Sequence, residues 1–263
     1  MNLWLCAAAL AFAPALGFAQ SAEVLDLPTR AGVKQRVLVQ RPAGEPAAAT
    51  LVLLMGGNGQ LGIYPNGSLQ RDTHFLARVR PLLMDRGHAI VLVDAPSDRR
   101  DLGGDFRESP EHAADLGAVV SHARKAFGKP VWLVAHSRGT HSAVTAATRL
   151  SGDAEPDGIV LAASILESSR FGSATAKPLQ ESGVESLRIP VLVLHHTQDA
   201  CQASPPAKLP ELKAKLVASK SRVISYDGGI SRGALCEVQA FHSFNGIEQQ
   251  LVDDLSAYIA ASK

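Results

Sequence analysis

The chain has almost no excess of either charge: 26 Lys and Arg face 25 Asp and Glu, a formal net charge of +1 over 263 residues. That balance gives no electrostatic reason to expect nucleic acid, an anionic membrane or a polyanionic substrate as partner. No segment repeats at a solenoid or propeller period, and no long tract is of low complexity, which excludes repeat arrays. No spacing of His and Cys matches a zinc signature, so neither a metal nor a cofactor is expected. The glycine turn Gly56–Gly59 lacks a Gly-Lys-Ser/Thr ending and makes a poor phosphate loop. What is present is a globular composition, 46% hydrophobic and 19% charged. Its length suits one large or two small domains with a sizeable core.

The N-terminus differs from the rest. Residues 3–19 carry no charge and end in Gly17-Phe18-Ala19, a small-x-small pattern suited to signal peptidase. The run is too short for a membrane anchor, and Pro14 interrupts it. The segment before it has no Lys or Arg, only the α-amine. The reading is a signal peptide over 1–19 and an exported mature chain of residues 20–263, periplasmic or secreted, with no stable membrane insertion. Export removes Cys6 and leaves Cys201 and Cys236 as a pair in an oxidising compartment. A disulfide is then the default, with a free buried pair or a metal site as alternatives.

Beyond the signal, short aliphatic runs alternate with helical patterns. Thr50–Met55, Ala89–Asp94, Val131–Ala135, Gly158–Ala163 and Val191–His195 are strands of one style, and Val37–Gln40 is a weaker one. Continuous aliphatic strands separated by helices predict parallel β-α-β units buried on both faces. Ser109-Pro110-Glu111 starts a helix that runs to about Phe127 before Gly128, and Arg138–Leu150 is helical. Ile247, Leu251, Val252, Leu255, Tyr258 and Ile259 form the apolar stripe of a last helix. Pro81 makes the helix before Ala89 either start near Val79 or kink, leaving a long loop from Gly56 to about Arg78. No linker divides the pattern, which reads as one α/β domain over 20–263.

The most specific signal is the strand Val131–Ala135 running into His136-Ser137-Arg138-Gly139 and a small-residue helix. A nucleophile on a sharp strand-to-helix turn needs small neighbours, here Ala135 and Gly139. The helix that follows aims its first amides at a developing oxyanion. A serine hydroxyl needs a base and an orienting acid, expected in the chain order Ser, acid, His. Asp199 lies just beyond the strand Val191–His195, and His242 precedes the last helix.

On these residues the chain from about 30 to the end resembles the α/β-hydrolase family. Ala135-His136-Ser137-Arg138-Gly139 looks like its nucleophile elbow, the stretch His195–Asp199 like its acid turn, and Phe241-His242-Ser243-Phe244 like its histidine loop. Met55-Gly56-Gly57-Asn58-Gly59 stands where the family has a His-Gly-x oxyanion loop, with Met replacing His. The resemblance implies an α/β-hydrolase fold, a mostly parallel central sheet flanked by helices. It also implies a Ser137–His242–Asp199 triad, with an oxyanion hole formed by the Gly57 and Arg138 amides and Asn58 in reserve. Cys201 and Cys236 would tie the acid loop to the base loop, a layout some polyester hydrolases share, or serve as a generic staple. Tyr64, His74, Phe75, Arg78 and His136 are candidates for the pocket wall, and His136 is more a packed strand-end residue than a second base. Many relatives carry a cap between the strands ending at Ala163 and starting at Val191. Here Ser164–Ile189 has room for one helix, predicting at most a small cap and an open cleft.

The expected chemistry is hydrolysis of a carboxylic ester, small or polymeric, through an acyl-enzyme. Requiring a neutral histidine base, activity should fall below about pH 6–7. The rival readings are an amidase, peptidase or acyltransferase on the same triad, or a non-catalytic binding protein on this scaffold.

Overall fold

The computed structural model describes residues 21–43, 48–128, 130–171, 174–217 and 220–262, so the expected signal segment lies outside the described residues. Eight strands form one sheet: β1 (Ser21–Arg30), β2 (Val33–Arg41), β3 (Thr50–Leu54), β4 (Ala89–Pro96), β5 (Val131–His136), β6 (Gly158–Ala162), β9 (Val191–His196) and β10 (Ser221–Tyr226). Their order is β1-β2-β4-β3-β5-β6-β9-β10. The pairs β1/β2 and β2/β4 are antiparallel, and every later pair is parallel. A short antiparallel hairpin, β7 (Ser169–Phe171) and β8 (Ala174–Ala176), stands apart.

The central strands are buried along their whole length because both faces are covered, yet period-two alternation still sorts their side chains. Leu51, Leu53, Ile90, Leu92, Trp132 and Val134 join one apolar cluster. It includes residues of α1 (Phe75–Asp85) and α6 (Glu248–Ala261). Val52, Leu54, Val91, Val93, Leu133 and Ala135 join the other. That second cluster packs on α3 (Pro110–Phe127), α4 (Gly139–Arg149) and α5 (Leu209–Lys215). Two shorter features complete the frame: α2 (Gly104–Arg107) and a pair of 3-10 turns at Leu179–Glu181 and Val184–Ser186.

Helix α3 has the ends its sequence foretells: Ser109 accepts the His112 amide, Pro110 follows, and Gly128 closes in the left-handed conformation. Three expectations need correction. Helix α1 starts at Phe75, not Val79, and continues through Pro81. Proline cannot donate to the Ala77 carbonyl, and the Arg80 guanidinium donates to it instead. Ser164–Ile189 carries the β7/β8 hairpin and 3-10 turns, and among its described residues there is no α-helix. Finally, β1 and β10, at the two sheet edges, stand outside the strand pattern read from the sequence.

Candidate active site

Strand order reverses between β3 and β5, the point at which open parallel sheets leave a crevice at their C-terminal ends. The residues singled out above converge there. Ser137 follows β5 directly and holds φ 55°, left-handed backbone that an L-residue adopts only under constraint. The constraint is close packing on both sides. A Cβ on Gly56 would lie 2.8 Å from Ser137 Cβ, and one on Gly139 would lie 2.4 Å from the Leu54 carbonyl oxygen. Gly139 is therefore small because β3 touches it, a reason more specific than elbow sharpness.

His242 Nε2 lies 2.9 Å from Ser137 Oγ, and its Nδ1 lies 2.8 Å from Asp199 Oδ2. All three residues are buried, with Ser137 the most accessible at 8%. With Nδ1–H donated to the carboxylate, the Nε2 lone pair faces the hydroxyl. The other Asp199 oxygen accepts the Cys201 amide at 2.9 Å. Cys201 is bonded to Cys236, so one covalent link joins the acid turn to the cleft wall.

The base loop has two further supports. His136 Nε2–H donates to the His242 carbonyl at 2.9 Å. Arg78 donates to the Ser243 carbonyl at 2.6 Å and pairs with Glu248 at 2.9 Å. Arg78 thus clamps the histidine loop and is not among the residues lining the cleft. His195 and His196 donate to the Ser204 and Gly228 carbonyls and brace the acid turn, with His196 stacked on Phe241. Burial, reinforced by the charges of Arg78 and Arg71, pushes His74 down to about 4. His136 falls well below its ordinary value, by burial first and then by its histidine neighbours. Both are neutral at physiological pH.

Above Ser137 lies a cleft of about 470 Å³. Gly56, Gly57, Arg71, His74, His136 and Arg138 line one part, and Cys236, Glu237 and Val238 line another. Of the pocket-wall candidates, His74 and His136 face this space. Tyr64 is exposed and does not line it, and Phe75 packs beneath His136 as core, its rings 5.1 Å apart. Gly57 also lines the cleft, whereas the Asn58 side chain is engaged with Arg71 and the Gln60 amide. Two contributors escaped the sequence reading. Asp94, at the end of β4, accepts the Leu61 and Ile63 amides and pins the long loop. Arg107 holds the glycine turn from below. An acid closing an aliphatic strand could have signalled Asp94; nothing local distinguishes Arg107 from a surface arginine.

No family model matches the chain, and neither does any curated protein. Solved structures do. An esterase from Pyrococcus furiosus superposes with a TM-score of 0.67 at 11% identity, covering 92% of each chain. A cold-adapted esterase from an Arctic intertidal metagenomic library gives 0.58 at 17% identity, covering 91% of this chain and 93% of its own. An α/β serine hydrolase described as lacking a lid, from Xanthomonas campestris, gives 0.56 at 16%, with 95% and 96% covered. At such identities the likeness is one of fold: the chain has the α/β-hydrolase fold.

Proposed function

We propose that the chain is a serine hydrolase that cleaves carboxylic esters of short or polar acyl groups. The observation that carries this reading is the continuous relay Ser137 Oγ–His242–Asp199, at 2.9 and 2.8 Å, on a strained elbow that opens into a cleft. Ser137 Oγ attacks the ester carbonyl while His242 Nε2 takes its proton. The tetrahedral oxyanion sits against the Gly57 and Arg138 amides, each donor being worth about 3 kcal/mol in such sites. The adduct collapses, His242 returns the proton to the departing alcohol, and water repeats the sequence to release the acid. Asp199 holds the imidazole tautomer and stabilises its charged form. The esterase neighbours support the ester assignment. The acyl preference is inferred from the lining, where Val238 is the one aliphatic side chain among arginines, histidines and a glutamate. The acting unit is residues 20–263 as one exported domain, a location that fits the Cys201–Cys236 disulfide. Among the described residues no helix is long and apolar enough to cross a membrane.

A panel of p-nitrophenyl esters from acetate to palmitate, with Ser137→Ala beside the wild type, tests this. Turnover that peaks at short acyl chains and drops by several orders of magnitude in the variant is the expected result. A folded wild type inert on every ester would sink the proposal and redirect the search to amide cleavage, acyl transfer or binding.

A further inference from the structure

One buried cation in the fold is not explained by packing. Arg107 is 1% exposed, and among the described residues no carboxylate lies within ion-pair distance of it. Burying a guanidinium without a counter-ion is expensive unless its donors are all employed. Here they are. Nε donates to the Leu102 carbonyl at 3.0 Å and Nη1 to Ser142 Oγ at 2.9 Å. Nη2 donates to the carbonyls of Met55 at 3.1 Å and Gly57 at 3.3 Å. Three of these four acceptors belong to the elements that present the candidate oxyanion donors. Met55 and Gly57 flank the turn, and Ser142 sits on α4, whose first turn follows Arg138.

We propose that Arg107 is the positioning residue of the oxyanion hole, fixing the glycine turn and α4 to one rigid planar group. This rests on the Ser137 reading above and deepens it. In a trans peptide the N–H points opposite to the C=O, and no described peptide bond is cis. Holding the Met55 carbonyl therefore aims the Gly56 amide away from Arg107, and holding the Gly57 carbonyl aims the Asn58 amide likewise. The peptide between them is set by its own turn, because the Gly56 carbonyl accepts the Gly59 amide at 3.0 Å. That peptide carries the Gly57 N–H. Arg107 thus grips the peptide on either side of the donor, in a sequence whose two glycines would otherwise leave it free to rotate. The planar fork matters, since a point charge cannot hold several divergent acceptors in one geometry. Burial, with the Arg138 charge adding to it, lowers the guanidinium to about 9, so it remains charged at neutral pH. Its positive charge lies behind the donors and favours the same oxyanion they bind.

The test compares wild type, Arg107→Met and Arg107→Lys on p-nitrophenyl acetate, with inhibition by phenylboronic acid, which forms a tetrahedral adduct with the serine. Circular dichroism reports whether each variant is folded. The expected result for folded Arg107→Met is a kcat about 10²-fold lower with KM within about twofold, and a boronate Ki raised by a similar factor. Arg107→Lys should fall about tenfold in kcat with KM unmoved, because one ammonium cannot replace the fork. A merely structural role would lower the folded fraction and leave kcat per folded molecule and boronate affinity unchanged; that outcome overturns the inference. If Arg107→Met does not fold, Arg107→Lys decides alone, and wild-type kcat and boronate affinity in it are refuting. Wild-type turnover reports on the Ser137 reading separately, and an inert wild type brings down both.

Discussion

Gly139→Ala sets two physical effects of opposite sign against each other. Gly139 is the first residue of α4 and has ordinary helical backbone, so helix propensity alone favours alanine by about 1 kcal/mol. Space argues the other way. The added Cβ would stand 2.4 Å from the Leu54 oxygen, 2.9 Å from the Met55 oxygen and 3.1 Å from the Leu54 carbon. Ordinary contact begins near 3.4 Å, so α4 and the end of β3 must separate by about 1 Å. The atoms met are backbone of Leu54 and Met55, at the end of a central strand, and cannot rotate aside as a side chain could. Overpacking of this kind costs about 3 kcal/mol, leaving a net loss of about 2 kcal/mol. For a chain of this size that lowers Tm by about 4–8 °C. The same separation moves the proposed Gly57 donor away from Ser137, and a displacement of about 1 Å costs roughly 10²-fold in rate. Thermal unfolding by circular dichroism and kcat on a short ester measure both effects. Gly117→Ala is the internal control, since the nearest atom to its Cβ would be a Leu150 side-chain methyl at 3.1 Å, which can yield, and Ala154 Cβ at 3.5 Å is at ordinary contact distance. A Gly139→Ala protein as stable as wild type and fully active would refute the steric account.

Cys201→Ser with Cys236→Ser opens a link spanning 35 residues, and chain entropy predicts a stability loss of about 3–4 kcal/mol in urea unfolding. Because the Asp199–Cys201 amide bond survives the change, kcat at low temperature should fall less than tenfold; an unchanged unfolding midpoint would remove the link from the stability account. Acid should also weaken the fold. His74 and His112 have ordinary values of 6.5, held down to about 4 and about 3, in both cases mainly by burial. Unfolding lets each take a proton, so their stability contribution is complete above pH 6.5 and is lost as pH falls toward those values. For His112 the loss at pH 5 is about 2 kcal/mol. Urea midpoints that stay level from pH 7 to pH 5 would contradict it.

How much was legible in the sequence depended on whether the signal was local. The elbow was, because strand, Ser137 and Gly139 are contiguous. Asp199 and His242 could be placed because each follows or precedes an element with a clear apolar pattern. The two edge strands were not legible. β10 reads Ser-Arg-Val-Ile-Ser-Tyr and is mostly half-buried, and β1 carries Pro28 and alternating charge, so neither shows the continuous aliphatic run of a central strand. The start of α1 was hidden by Pro81, whose cost is offset by a side chain one residue away. The pocket wall failed for a different reason. Phe75 and Tyr64 lie near the cleft in sequence, but which way a side chain at a loop or a loop-to-helix junction turns is decided by tertiary packing. Arg107 was the furthest out of reach, because its partners come from segments that only the fold brings to it.

The β7/β8 hairpin and the 3-10 turns after it stand between β6 and β9, and their contacts point inward. A Cβ on Gly104 would lie 2.0 Å from the Thr175 carbonyl oxygen, so β8 presses directly on α2, the short helix that ends in Arg107. Beside it, Glu108 accepts Lys177 Nζ at 2.8 Å and Ser182 Oγ at 3.0 Å, both from this insertion, and pairs with His141 of α4 at 2.9 Å. Burial alone would raise that carboxyl, but the bonds from His141 and Lys177 outweigh it and hold Glu108 at about 2. Lifting the insertion would strip two partners from a half-buried carboxylate and remove the wall behind Arg107. A segment so engaged is a brace for α2 and Arg107 and is unsuited to act as a lid. The rate on a dispersed ester should therefore follow the dissolved concentration smoothly. A jump in rate at the solubility limit would show that this segment opens, and that its inward contacts are weaker than their geometry implies.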